Sequence, residues 1–427
     1  MFIASSNSPI KNTSYKVVVP FYGYAALSFL LATILIMQNT AAFTQHYFNP
    51  HTLAITHTMA LGWGTMIILG ASHQLFPVLI EGKLYSNMLA YLSFYFAAIG
   101  IPLLIFSFYK FDMSIVAQTG AILINLSVIC YMANLIISIS KSKKGNVHAM
   151  FALTATFWLL LTTGLGLLLV YNFTHNILSE DSLYYLSFHA HMGIIGWFLL
   201  MVIGVGSRLI PMFLISKYEN KKMLWFVYGF INAGLLSFIA ISLLSYKSWL
   251  YFIPMLLIGI GVVLFGYYIY QSYIKRIRKK VDGQVKISMV SVAFMVIPIV
   301  VLVGIITIFT SISNIEFVLL YGFTIFFGWI TAIILGMTFK TLPFIIWNKV
   351  YHNIAGLGKT PNPKELFSTP VFIATTASYL MGFVIFGYGI IRTDMLMLKI
   401  GAIFLLVTAI LYNLNVFKII FHKAKLK

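Results

Sequence analysis

The chain has 427 residues, of which 60% are hydrophobic and 9% charged, with a formal net charge of +19. A soluble domain carries about a quarter charged residues, so that class is excluded. Apolar runs of about 20 residues, the length that spans a bilayer as a helix, recur from end to end and predict an all-α polytopic protein embedded in lipid.

In chain order the apolar segments read roughly 15–37, 51–80, 88–109, 115–138, 148–172, 185–214, 223–243, 249–273, 287–311, 317–347, 369–391 and 395–420. The first 14 residues are polar and the first apolar run is long enough to span, so no cleavable signal peptide is expected. The single cysteine, Cys130, lies within an apolar run, which rules out a disulfide or a cysteine metal cluster. If the segments alternate across the membrane, most of the 28 Lys and Arg fall on the side of the N-terminus. The exceptions are Lys110, Lys247, Arg392 and Lys399 near the other face, and Arg208 and Lys340 within segments. The positive-inside rule then puts both termini in the cytoplasm, with a bacterial inner membrane as the expected location. The densest basic run, "KRIRKK" at 275–280, joins the eighth and ninth segments and reads as a topology signal that also attracts anionic lipid. No nucleic-acid partner is expected: there is no glycine-rich phosphate loop and no soluble domain, and the longest cytoplasmic stretch, about 348–368, is a connector.

The second segment contains "HTMALGWGTMIILGASHQLFP" (57–77), and the sixth contains a near-copy, "HMGIIGWFLLMVIGVGSRLIP" (191–211). His57, Gly62, Trp63, Gly70, Gln74 and Pro77 align with His191, Gly196, Trp197, Gly204, Arg208 and Pro211. A third copy in the tenth segment runs Phe323, Gly328, Trp329, Gly336, Lys340 and Pro343, at offsets of 134 and 132 residues. The chain is therefore expected to form a single membrane domain, residues 1–427, of three four-helix repeats over about 15–138, 148–273 and 287–420. The glycines allow close backbone approach or leave room for a flat ligand. Each proline frees a carbonyl near the cytoplasmic end. Gln74, Arg208 and Lys340 either snorkel to that interface or meet an anionic group.

Six of the ten histidines (His46, His51, His57, His175, His189, His191) fall toward the outer face. His57 lies about 10 Å inside its helix, with His191 at the matching depth. An intramembrane histidine is a functional residue by default, and a neutral imidazole ligates iron or copper without a counter-charge. His57 and His191 are the leading cofactor and metal ligands, flanked by Gly62, Trp63, Gly196 and Trp197. His189 and His51 are further metal candidates at the rim. His189 and His191 point about 200° apart on a regular helix and cannot share one centre. His73 lies about 24 Å from His57 along the helix and is expected to be structural. His46 and His175 read as loop residues; His148, His352 and His422 read as cytoplasmic surface. All nine acidic residues fall in loops or at helix ends, so no buried carboxylate relay for proton pumping is present.

Twelve helices in three four-helix units, with histidines near the outer ends of the second and sixth, resemble subunit I of the haem–copper oxidase superfamily. The strings "THTMALGWGTMIILGASHQLFPVL" and "FHAHMGIIGWFLLMVIGVGSRLIPMF" look like an oxidase-subunit-I-like branch. The architecture covers essentially the whole chain and the motifs about a quarter of it. The resemblance implies that His57 matches a low-spin haem ligand and that His191 is the nearest match to a copper ligand. The family's His-x-His pair is missing from "YGFTIFFGW" (321–329), and residues 223–273 contain no histidine. The usual two-haem, one-copper centre is thus not expected. What remains is a smaller site, a b-type haem or a copper between His57 and His191, closer to the NnrS-type proteins of nitric oxide stress. The expected function is electron transfer, or handling of nitric oxide or oxygen. A cytochrome or quinol donor and further membrane subunits are the implied partners. One alternative is a catalytic oxidase or nitric oxide reductase subunit with unusual ligation. The other is a transporter or haem- or copper-handling protein on the same scaffold, although transporters are usually built from two halves.

Overall fold

Twelve helices long and apolar enough to cross a membrane succeed one another in the computed structural model. It describes residues 13–80, 82–142, 146–244, 248–308, 315–352 and 360–424. The polar residues 1–12, Glu81, Lys247, the end of the ninth expected segment and residues 353–359 of the long connector lie outside them. The helices are α1 (Tyr15–Gln38), α2 (Pro50–Leu79), α3 (Asn87–Lys110), α4 (Ile115–Ser140), α5 (Val147–His175) and α6 (Leu186–Leu214). They continue with α7 (Lys221–Leu244), α8 (Trp249–Ile274), α9 (Gly283–Thr307), α10 (Ile315–Tyr351), α11 (Thr369–Arg392) and α12 (Met395–Ile420). The protein is all-α and its helices imply a bilayer around it.

The apolar residues carry no strong one-sided moment, as expected where lipid and core are equally apolar. Burial separates the helices instead. The most deeply buried are α2, α6 and α10, the three that carry the repeated motif. Each packs against the helix before it: α2 on α1, α6 on α5 and α10 on α9. The last two helices of each unit pair along their length, α3 with α4, α7 with α8 and α11 with α12. The units meet where α4 packs on α5 and α8 on α9, and the ring closes where α12 packs on α1. Asn413 of α12 reinforces that closure by donating to the Ala26 carbonyl (2.8 Å).

At the same register in α2, α6 and α10 the helix widens to an i→i+5 turn, over Thr58–Thr65, Met192–Leu199 and Thr324–Ile330. Such turns free a carbonyl and collect at functional sites. In α10 the Thr331 hydroxyl takes up the Phe326 carbonyl, five residues back (2.6 Å). The motif tryptophans then tie the units together. Trp63 Nε1–H donates to Thr331 of the third unit (3.2 Å) and Trp197 Nε1–H to Thr65 of the first (3.0 Å). The position that would serve Trp329 is Leu199, which has no oxygen.

The C-terminal halves of α6 and α10 carry the cations Arg208 and Lys340. Lys340 pairs with Asp282, at the start of α9, and Arg278 shares that carboxylate (2.8 Å). A protein carboxylate therefore supplies the anionic partner of Lys340. His148, read from sequence as surface, is only 8% exposed. Its Nδ1 lies 3.1 Å from the Gly204 carbonyl and 3.0 Å from Ser207 Oγ, which ties α5 to α6.

Candidate functional site

The site is built from the N-terminal ends of the motif helices. Asn49 caps α2 by accepting from the Thr52 amide (3.0 Å), and Pro50 occupies the first turn, where no N–H is needed. That start carries His57 two turns inward, where Nδ1 lies 2.9 Å from the Leu53 carbonyl one turn back. A carbonyl only accepts, so Nδ1 carries the proton and Nε2 of the neutral ring keeps its lone pair. His191 repeats the device with the Ser187 carbonyl (2.8 Å). His189 uses a different acceptor, the Thr162 carbonyl of α5 (3.0 Å). Gly166 makes room for that ring: a Cβ there would fall 2.9 Å from His189 Cε1.

All three imidazoles line one cavity of about 470 Å³. Its walls come from α2 to α6 and α10, with Tyr47, Phe48 and Leu183 from the segments that precede α2 and α6. The lining contains no Lys, Arg, Asp or Glu; its polar members are neutral, among them Asn125, Thr162, Thr163 and Tyr321. Both Asn125 and Thr163 are already engaged, Asn125 to the Ala121 and Thr163 carbonyls and Thr163 to Asn125.

His57 does not pair with His191, as the sequence suggested, but with His189, at 6.1 Å between ring centroids and 21° between planes. Phe108 of α3 also packs on the His57 ring (4.6 Å). His191 turns instead to Tyr321 of α10, at 6.0 Å and 30°, and the Tyr321 hydroxyl donates to its Nε2 (3.3 Å). Among the described residues nothing donates to Nε2 of His57 or His189.

The remaining sequence candidates divide. Trp197 lines the cavity; Trp63, Gly62 and Gly196 do not. Trp63 stacks on Phe29 (4.6 Å). The glycines admit the preceding helix of their own unit: a Cβ would fall 2.7 Å from Ser28 Oγ at Gly62 and 2.6 Å from Trp158 Cβ at Gly196. His51 lies against Tyr109 (4.8 Å), outside the lining. His73 is 1% exposed and packed between Phe21 and Tyr131. No group of three or more His, Cys, Asp or Glu side chains among the described residues is placed to hold a metal ion unaided. Gln74, Arg208 and Lys340 are absent from the lining.

Tyr321, Thr162 and Gly166 were not singled out from sequence. A signal for Tyr321 was present, because it stands two residues before Phe323 just as His189 stands two before His191. No family model matches the chain, and no curated protein matches it either.

Proposed function

We propose that the outer cavity is a b-type haem site in an oxidase-subunit-I-like membrane protein, with His57 and His189 as the two axial ligands. One observation carries this reading. Two imidazoles from adjacent units sit side by side, each with Nδ1–H committed to a carbonyl, which leaves an Nε2 lone pair on each ring and no donor to it among the described residues. A Lewis acid would satisfy both lone pairs. Two imidazoles bound through Nε2 to one metal at about 2.0–2.1 Å place their ring centroids about 6 Å apart, which matches the separation found here.

The surroundings fit a macrocycle better than a bare ion. Among the described residues no third His, Cys, Asp or Glu joins the pair, so copper alone would lack protein ligands, whereas a porphyrin brings four of its own. The cavity is mainly apolar, uncharged and within the size range of cofactor sites. A haem held there would supply one-electron chemistry on the outer side of the membrane, passing electrons or meeting nitric oxide or oxygen. His57 and His189 would set its position, and Gly166 and the Leu53 and Thr162 carbonyls would fix their rings. The Tyr321–His191 pair favours a second reading, a catalytic reductase. It places a hydroxyl proton in the same cavity, where a bound ligand could receive it.

The test is a reduced-minus-oxidised visible spectrum of the purified full-length protein, with haem quantified by pyridine extraction. A haem band lost in both His57→Ala and His189→Ala and kept in His191→Ala is expected. A haem-free wild type from haem-replete cells would overturn the reading and leave the transporter alternative. A band lost in His57→Ala and His191→Ala but kept in His189→Ala would restore the pairing suggested by sequence.

A further inference from the structure

A second cavity, of about 90 Å³, lies between α2, α6 and α10. Its lining comes from the same five positions of all three repeats, beginning at Ile67, Met201 and Ile333 and ending at Leu75, Leu209 and Thr341. Tyr22 is the one addition, from α1. A cavity lined by equivalent residues of three repeats lies on their common axis. It begins about one helical turn inward of Trp197 and Phe198, which line the outer cavity.

The wall is hydrocarbon and thioether except for four hydroxyls, and each of those is engaged elsewhere. Ser72 donates to the Leu69 carbonyl (2.8 Å) and accepts from Tyr131 (2.8 Å). Thr341 donates to the Met337 carbonyl (2.9 Å) and accepts from Tyr22 (2.8 Å). Thr338 is paired with Tyr412 (3.0 Å). A buried water needs two to four polar partners; the Ser72, Thr341 and Tyr22 protons are already spent, which leaves Thr338 as the one hydroxyl that could donate into this space. A polar or charged guest is excluded for the same reason. A lipid chain is too long for the volume. Close-packed interiors do not leave such a space without cost, yet at the level of Val205 and Met337 the wall carries only Ala71, whose small side chain leaves room.

We infer that this axial cavity is a binding site for a small uncharged gas molecule of the diatomic class, dioxygen or nitric oxide. Such a molecule partitions into the bilayer core and needs no hydrogen bond from its site. Cavity, dryness and axial position carry the assignment, which stands whether or not the outer cavity holds haem.

Xenon is the probe. Crystals of the full-length protein pressurised with xenon should show an anomalous peak between Ala71, Val205 and Met337. Ala71→Leu should lose that peak, and Met337→Ala, which widens the cavity without adding a group, should keep or strengthen it. A wild type that shows ordered water there, or that takes up xenon elsewhere but not on the axis, would overturn the proposal. So would an axial peak that survives unchanged in Ala71→Leu.

Discussion

Two boundaries between repeats hold the same pair of positions in the same geometry, and their chemistry differs by one residue. Between the first and second units His57 meets His189, at 6.1 Å and 21°; between the second and third His191 meets Tyr321, at 6.0 Å and 30°. In both, the motif histidine of one unit meets the residue two places before the motif position of the next. At the boundary that closes the ring those positions are Phe323 and Ile55, with no nitrogen or oxygen between them. There Phe323 stacks with Phe327, Phe383 and Phe386, and Phe386 meets Phe43 edge to face. One scaffold thus presents a pair of acceptors, a donor–acceptor pair and a sealed aromatic plug. Chemistry at each boundary is set by two side chains and not by the fold.

If that account is right, His189→Tyr should convert the first boundary into the second. We expect complete loss of the haem band, since a tyrosine hydroxyl would donate to His57 Nε2 and cancel the pair of lone pairs. The reciprocal Tyr321→His should create a second two-histidine pair in the same cavity and, added to His189→Tyr, restore the haem band. A haem content unmoved by either change would show that the boundaries are not equivalent.

The C-terminal ends of the same helices invert the asymmetry. The third unit, which has no histidine at its motif position, carries the ion pair Lys340–Asp282 at that end; the residues equivalent to Lys340 in the other units are Gln74 and Arg208. Lys340 is 16% and Asp282 28% exposed in their side chains, so removing one partner strands a charge at modest exposure. Asp282→Ala should cost about 3 kcal/mol, read as a lower denaturation midpoint in detergent. The paired change Lys340→Met with Asp282→Ala should recover most of that loss. Recovery absent from the double variant would mean that Asp282 acts through Arg278 instead.

How far the sequence could be read follows the same division. Helix number, order and the threefold motif were legible, because a span in lipid must be about 20 apolar residues and the Gly-Trp register survives in every copy. The glycine crossings of the paired helices were not singled out. Gly100 and Gly120 face each other, and a Cβ on Gly100 would fall 2.8 Å from the Gly120 carbonyl oxygen; in the other units Gly234 admits Ile258, Gly261 admits Ile231, Gly382 admits Leu405 and Gly401 admits Phe386 of the paired helix. His57 and His191 were legible as intramembrane histidines. Their partners were not, because a partner depends on which unit follows which around the ring, and that order is a tertiary fact. The angle between His189 and His191 on one helix showed that they address different centres. It did not show that His189 would find His57. The acceptors that orient the rings, backbone carbonyls of Leu53, Ser187 and Thr162, have no side-chain signature at all.

The smallest predicted effect tests the ring of tryptophans. Two of its links are made, Trp63 to Thr331 and Trp197 to Thr65, and the third fails only because the equivalent acceptor is Leu199. Inter-helical hydrogen bonds in membranes average about 0.6 kcal/mol in double-mutant cycles. Leu199→Thr should therefore raise stability by roughly that amount, provided that the hydroxyl reaches Trp329 Nε1–H. The cycle with Trp329→Phe isolates the new bond from the change in packing at residue 199. Coupling near that value would establish that the three units share one interlock and differ only in its last link. Zero coupling with intact Trp63 and Trp197 bonds would mean that α6 and α10 meet at a different register from the other two pairs. The threefold relation would then hold for the sequence motif and fail for the contacts it makes.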